Sequence, residues 1–347
     1  MVQTYESPFT SEEIYQAINA GGTNRAPGRD GLNFEFYRKA WPLIGDDLCC
    51  IMNSMFFDST ITPQQKIGTI VCLPKPGPML TPSDRRPITL LNCDYKILAR
   101  MLARRHRPLL ARHLKETQYC GVPGNTIFDA VATVRDVIAH AEHEKLPMCV
   151  LTLDFQHAFD RLSHEYLYTI LRSYGLSTHF VTLLQAIYSE ATSTVQINGH
   201  LHGPFPVYSG VRQGCPLRIA LYTLCLHPFL TDLERRLPGV RLDRGSRPIS
   251  VVAYADDVTV FLTTAKDIST VEDAMRQFEK ATGARLNPRK SRALAIGRWS
   301  VPVNPLGIAF HPNVRILGFQ FWSTLRQSVN ATWSHITGQV RLLVKES

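Results

Sequence analysis

The chain has 347 residues, 44% of them hydrophobic and 19% charged, with 21 Gly and 22 Pro. That length gives two or three packed units, and that composition excludes a mainly disordered, collagen-like or coiled-coil protein. Lys and Arg number 38 against 29 Asp and Glu, a net charge of +9 that suits a polyanionic partner without requiring one.

The eight cysteines (Cys49, Cys50, Cys72, Cys93, Cys120, Cys149, Cys215 and Cys225) form no CxxC pair and no Cys/His spacing for zinc, which favours a reducing compartment over a disulfide framework. The opening MVQTYESPFTSEE lacks the basic start and apolar core of a signal peptide, and no run approaches the roughly 18 apolar residues of a membrane span. The expectation is an intracellular protein, nuclear or cytoplasmic, with no membrane partner.

In chain order, Thr10 with Glu13 reads as a capping box opening a helix over 11–20, and a Gly/Pro-rich loop (21–31) precedes a second helix carrying Phe34, Tyr37, Trp41 and Ile44 on one face. IGTIVCLP (67–74) reads as a buried strand, followed by a basic, proline-rich loop reaching Pro87. Helices are expected over 95–114 and 126–144. MCVLTLDF (148–155) is a continuous apolar, β-branched run, hence a strand buried on both faces that ends in a carboxylate. Helices follow over 163–174 and 178–189. An Asn-Gly turn after TVQI predicts a hairpin returning near 205–209, and a long helix covers 216–236. ISVVAYADDVTVFL (249–262) is the most regular hairpin. A helix over 267–282, a strand at 293–297, a single strand over 315–322 and a helical tail from 329 complete the reading.

Asp154 ends one predicted strand and Asp256-Asp257 sits at a hairpin tip, so pairing the two elements in one sheet would bring three carboxylates to one edge. Such a cluster repels itself unless a cation compensates, and hard oxygen ligands on a rigid sheet suit Mg²⁺ shared with substrate phosphates. Two such ions about 3.5–4 Å apart can serve phosphoryl transfer. A lone Asp-Asp pair is more often a turn, but a loop between long apolar strands would more simply use Asn-Gly or Asp-Gly.

LTLDFQHAFDRL (151–162), SGVRQGCPL (209–217), AYADDVTVF (253–261), RLNPRKS (285–291) and ILGF (316–319) resemble, in order and spacing, the palm motifs of reverse transcriptases of the non-LTR, LINE-type retrotransposon branch. APGRDGLNFEFYRKAW (26–41) and the segment 71–105 resemble that branch's N-terminal block and fingers. The resemblance implies an α+β right-hand polymerase fold with fingers, an antiparallel palm sheet packed on helices, and a truncated thumb. It implies an N-terminal extension over 1–60, fingers over 61–146, a palm over 147–325 with a finger insertion after its first strand, and the start of a thumb over 326–347. It also implies RNA-directed DNA polymerisation on an RNA template from a DNA or RNA primer with dNTPs, assisted by two Mg²⁺ ions, with Mn²⁺ an alternative. The oligomeric state is left open.

Residue by residue, the resemblance makes Asp154, Asp256 and Asp257 catalytic and metal-binding, with the Phe155 backbone near a metal, and Lys290 the general acid for pyrophosphate. Lys75 and Arg86 match finger residues that clamp a triphosphate. Phe159 matches the aromatic gate against a ribose 2′-OH, Gln213 and Gly214 the loop near the nascent base pair, Tyr254 a substrate-binding position, and Leu317, Gly318 and Phe319 the primer grip. Two positions depart from the pattern: Arg218-Ile219 replaces the usual Ser-Pro that starts a helix, and His106 stands where Leu is commoner. With the missing endonuclease and thumb, these departures motivate a rival reading, a catalytically impaired, truncated retroelement relic that only binds RNA or primer–template. An RNA-dependent RNA polymerase is a more distant rival, disfavoured by Tyr-Ala-Asp-Asp and by Phe159.

Overall fold

The structure is a computed structural model describing residues 6–74, 81, 85–114, 117–301 and 304–334. In chain order the elements are α1 (Ser11–Asn19), α2 (Phe34–Phe57), α3 (Pro63–Lys66), β1 (Ile67–Pro74), β2 (Arg85–Leu90), α4 (Cys93–His113), α5 (Ile127–His143), β3 (Met148–Leu153), α6 (His164–Ser173) and α7 (Thr178–Tyr188). They continue with β4 (Thr192–Ile197), β5 (His200–Pro206), α8 (Arg218–Arg236), β6 (Val251–Tyr254), β7 (Asp257–Leu262), α9 (Ala265–Thr282), β8 (Arg292–Ile296), β9 (Asn313–Ile316) and β10 (Phe319–Trp322). Residues 325–334 are helical. No helix among the described residues is long and apolar enough to cross a membrane, and all eight cysteines are free.

The described residues divide into two compact units, one from the chain up to Leu109 with Phe159–Tyr222, the other from Leu110–Ala158 with the chain from Thr223 onward. In the first unit α1 starts as its capping box dictates: the Thr10 hydroxyl accepts the Glu13 N–H at 3.2 Å, and the Glu13 carboxylate accepts the Thr10 N–H at 3.0 Å. Arg105 anchors this start by pairing with Glu13 at 2.8 Å while its guanidinium lies 4.2 Å from the Phe9 ring centre. The unit's sheet runs β2-β1-β4-β5, with β1 antiparallel to β2 and parallel to β4. Residues 85–87, expected as the end of the proline-rich loop, are thus the start of a strand, because β2 pairs with β1 from Arg85 onward. Asn198 and Gly199 join β4 to β5 with φ of +50° and +84°, the left-handed pair of a type I′ turn. His106 is buried, stacked at 3.9 Å on Phe180, with Nδ1 2.8 Å from the Leu102 carbonyl. Burial pushes its pKa down to about 4, so it packs as a neutral ring.

The second unit holds the antiparallel sheet β6-β7-β3-β8. Its β3 is buried along almost its whole length, as the unbroken apolar run demands. Ala130, Val134, Val137, Ile138 and Ala141 of α5 pack in one core with Val150, Phe261 and Leu294 of the sheet. A second apolar group joins Phe155, Phe229 of α8 and Phe278 of α9, the last two stacked at 4.9 Å. Residues 315–322 do not form the single strand expected: Leu317 and Gly318 take φ of +51° and +93° and fold β9 back on β10 as a two-residue hairpin. A positive φ at two adjacent positions cannot be continued as a strand.

Candidate active site

The end of β3 is registered against β7 through Leu153 and Val258, so the next positions outward across the two strands are Asp154 and Asp257. Tyr254 pairs with Asp257, leaving Ala255-Asp256 as the two-residue loop of the β6–β7 hairpin. Ala255 alone in that loop has positive φ, +56°, the pattern of a type II′ turn, whose first position ordinarily takes Gly.

Residues 285–291 brace the other side of Asp154. Its N–H donates to Ser291 Oγ at 3.0 Å, its carbonyl accepts the Asn287 N–H at 2.8 Å, and the Gln156 N–H donates to the Arg285 carbonyl at 2.8 Å. This strap also carries Lys290. Burial raises the Asp154 pKa, while the Lys290 charge and an Asn287 hydrogen bond hold it down. Asp257 is pushed up to about 6, first by burial and then by the charges of Asp256 and Asp154. It reaches solvent at the mouth of a cleft, but the atoms packed around it displace much of its water.

That cleft, about 100 Å³, is lined by Asp154, Asp257, Thr259, Lys290, Arg315 and Leu317. The structure therefore brings together two carboxylates, the strap lysine and Leu317, one of the three residues expected at the primer grip. Among the described residues no three His, Cys, Asp or Glu side chains form a group able to hold a metal ion. Asp256 stands beside this pair in the two-residue loop, outside the strand register, and its charge is felt at Asp257. Two mutually repelling carboxylates at an open cleft remain suitable donors for a divalent cation that takes its other oxygens from water and substrate phosphates.

Phe155 has its side chain in the core, 6% exposed, so only its backbone is available to a ligand. Tyr254 is half-buried and hydrogen-bonds the Cys120 thiol. Gly318 and Phe319 follow Leu317 around the β9–β10 turn, with Phe319 packed on the core.

The remaining sequence-derived positions lie in the first unit. Phe159 accepts the Val211 N–H at 2.8 Å through its carbonyl, its ring lies 4.3 Å from Tyr222, and the Arg218 guanidinium sits 3.8 Å above that ring. Gln213 and Gly214 dock on β2: the Thr89 N–H donates to the Gln213 carbonyl at 3.0 Å, and a Cβ at Gly214 would meet the Thr89 carbonyl oxygen at 2.5 Å. Arg86 is exposed on β2 opposite Leu73, and Lys75 lies outside the described residues. Sequence reasoning passed over Arg315, one arginine among many, and Gln118, a glutamine in a connection with no pattern of its own.

The carboxylate pair and the lysine-bearing strap lie within residues 73–321, which match the family model described as reverse transcriptase (RNA-dependent DNA polymerase). The chain belongs to that family. Its relatives put it in the non-LTR retrotransposon branch: it is 35% identical over 300 residues to the transposon TX1 uncharacterized 149 kDa protein of Xenopus laevis, covering 86% of this chain and 23% of that protein. It is 26% identical over 291 residues to the retrovirus-related Pol polyprotein from type-1 retrotransposable element R2 of Popillia japonica, covering 83% of this chain and 40% of the relative. The chain thus spans less than half the length of either relative. The structure of an apo telomerase from Candida tropicalis, truncated from its C-terminal domain, superposes with a TM-score of 0.52 at 14% identity over 84% of this chain and 66% of that one. That likeness shows an α+β right-hand polymerase fold.

Proposed function

We propose that the chain acts as an RNA-directed DNA polymerase, extending a DNA or RNA primer with dNTPs on an RNA template. The observation that carries this reading is the Asp154–Asp257 pair at the open end of β3 and β7 with Lys290 alongside, in a chain of the reverse transcriptase family. The primer 3′-OH attacks the α-phosphate of a dNTP and pyrophosphate leaves. Asp154, Asp256 and Asp257 with the Phe155 backbone would hold two Mg²⁺ ions, or Mn²⁺ in their place, which supply activation of the hydroxyl and neutralisation of the phosphate charge. Lys290 holds the proton that the leaving pyrophosphate takes, and Arg315 adds a second positive charge at the same cleft. Leu317, Gly318 and Phe319 bear on the primer strand through a turn whose geometry is set by two left-handed residues. In the first unit, Arg86 and Lys75 are assigned to triphosphate, Phe159 to the sugar, and Gln213 and Gly214 to the base pair; Tyr254 supports the substrate from the hairpin.

The test is primer extension by the purified chain on an RNA template with dNTPs and Mg²⁺. The parent should extend, whereas Asp154→Asn and Asp256→Asn, which remove charge and keep shape, should fold normally by circular dichroism and extend at least a hundredfold more slowly. Equal extension by parent and variants would overturn the reading.

A further inference from the structure

One buried side chain governs the corner of the hairpin that carries Asp256 and Asp257. Gln118 is 0% exposed. Its Oε1 accepts the Ala255 N–H at 2.9 Å and the Cys120 N–H at 3.0 Å, and its Nε2 donates to the Ala255 carbonyl at 3.2 Å. Both polar backbone groups of Ala255 therefore end on one amide. Around this contact the chain pairs with the outer edge of β6: the Ala253 N–H donates to the Thr117 carbonyl at 2.7 Å, and the Tyr119 N–H donates to the Ala253 carbonyl at 2.9 Å. Gln118 and Ala253 form a parallel bridge, and the Tyr254 hydroxyl meets the Cys120 thiol.

Ala255 needs such support. Its φ of +56° is unfavourable for any residue with a Cβ, and nothing within a two-residue loop compensates for that. Glutamine supplies what the position requires, a donor and an acceptor on one rigid plane. Methionine of similar length supplies neither, and glutamate only an acceptor.

We propose that Gln118 is a positioning residue for the reaction: by clamping Ala255 at its positive φ it fixes the hairpin and so sets Asp256 and Asp257 relative to Asp154. The proposal rests on the polymerase reading above, and it touches no substrate atom. It makes three demands. Without the clamp the hairpin corner relaxes, so the Ala255 amide loses protection. The chemical step suffers more than nucleotide binding. Glycine at 255, which adopts positive φ without strain, makes the clamp dispensable.

The experiment compares the full chain with Gln118→Met, Gln118→Asn and the double variant Gln118→Met/Ala255→Gly, using single-nucleotide incorporation, amide hydrogen exchange and Mn²⁺ binding followed by electron paramagnetic resonance. Gln118→Met should lower kcat about tenfold to a hundredfold while KM for the dNTP moves less than about threefold, and Ala255→Gly in that background should restore most of the lost kcat. Exchange at the Ala255 amide should speed up about tenfold or more with the α5 amides unchanged, and Mn²⁺ should bind more weakly. Gln118→Asn keeps an amide one methylene short, so it should lie between parent and Gln118→Met. It carries the test alone if the methionine variant does not fold. Unchanged Ala255 exchange, an unchanged kcat, or a loss of kcat that glycine does not restore would each overturn the proposal. If the parent itself fails to extend primers, the polymerase reading falls, and the exchange and Mn²⁺ measurements still decide the role of Gln118.

Discussion

Asp257 carries a charge that its surroundings resist. Its pKa is raised from 3.8 to about 6, so the ionised form costs folding stability in full above pH 6, and the cost shrinks as pH falls from 6 towards 3.8 while the native state takes up the proton ahead of the unfolded one. Without metal, Asp257→Asn should therefore be more stable than the parent at pH 8, by about 1 kcal/mol given that the group reaches solvent, and the advantage should vanish near pH 4. Thermal unfolding in EDTA across that range checks this; a pH-independent difference would mean that the carboxylate is not strained by its neighbours. Phe159 is the other residue whose role can be isolated. The Phe159 ring lies against Tyr222 with the Arg218 guanidinium over it, which fixes its position; under the proposed role a 2′-OH brought against it would be buried without a partner, at a cost of about 1–3 kcal/mol. Phe159→Val should lower the dNTP-to-rNTP ratio of kcat/KM by about tenfold or more, and an unchanged ratio would leave Phe159 as a packing residue.

At the level of elements, the start of α8 answers a question posed by Arg218-Ile219. A Ser-Pro pair there would be expected to cap the helix and raise stability, but the helix begins at Arg218, so a serine at that position would be its first residue and not its cap. The arginine it would replace stacks on Phe159, a contact worth about 0.5–2 kcal/mol when partly desolvated. The double variant Arg218→Ser/Ile219→Pro should accordingly leave the melting temperature unchanged or lower it. A clear rise would show the stack to be worth less than a preset helical φ. The β6–β7 hairpin shows the same dependence on outside support: Tyr254 through Asp257 make a tight loop on their own register, but the alanine of positive φ inside it is hydrogen-bonded by a segment more than 130 residues earlier.

For the whole molecule, the excess of 38 basic over 29 acidic residues bears on partners and not on fold. If the chain holds nucleic acid through backbone phosphates, the affinity for an RNA–DNA hybrid should fall steeply with salt, with a log–log slope of roughly −0.9 per phosphate neutralised on duplex DNA and a similar value for the hybrid. Fluorescence anisotropy between about 50 and 200 mM KCl measures the slope. An affinity insensitive to salt would exclude that mode of binding.

The amino-acid sequence by itself determined most elements and singled out the carboxylates and lysine proposed for the reaction. The apolar, β-branched run ending at Asp154, the capping residue Thr10 and the Asn198-Gly199 turn act through neighbours in the chain, so local periodicity and local backbone preference were enough to read them. The tertiary structure alone decided which strands meet and which charges share a cleft. β1 lies parallel to β4 across more than 120 residues, Leu317-Gly318 turns an apolar stretch into a hairpin, Asp154 and Asp257 end next to each other just beyond the last β3–β7 pair with Asp256 in the adjoining loop, and Arg315 enters the carboxylate cleft. Gln118 is the extreme case. A side-chain amide has no local pattern to announce it, and its worth depends on which distant backbone groups the fold sets within hydrogen-bond reach and shields from water.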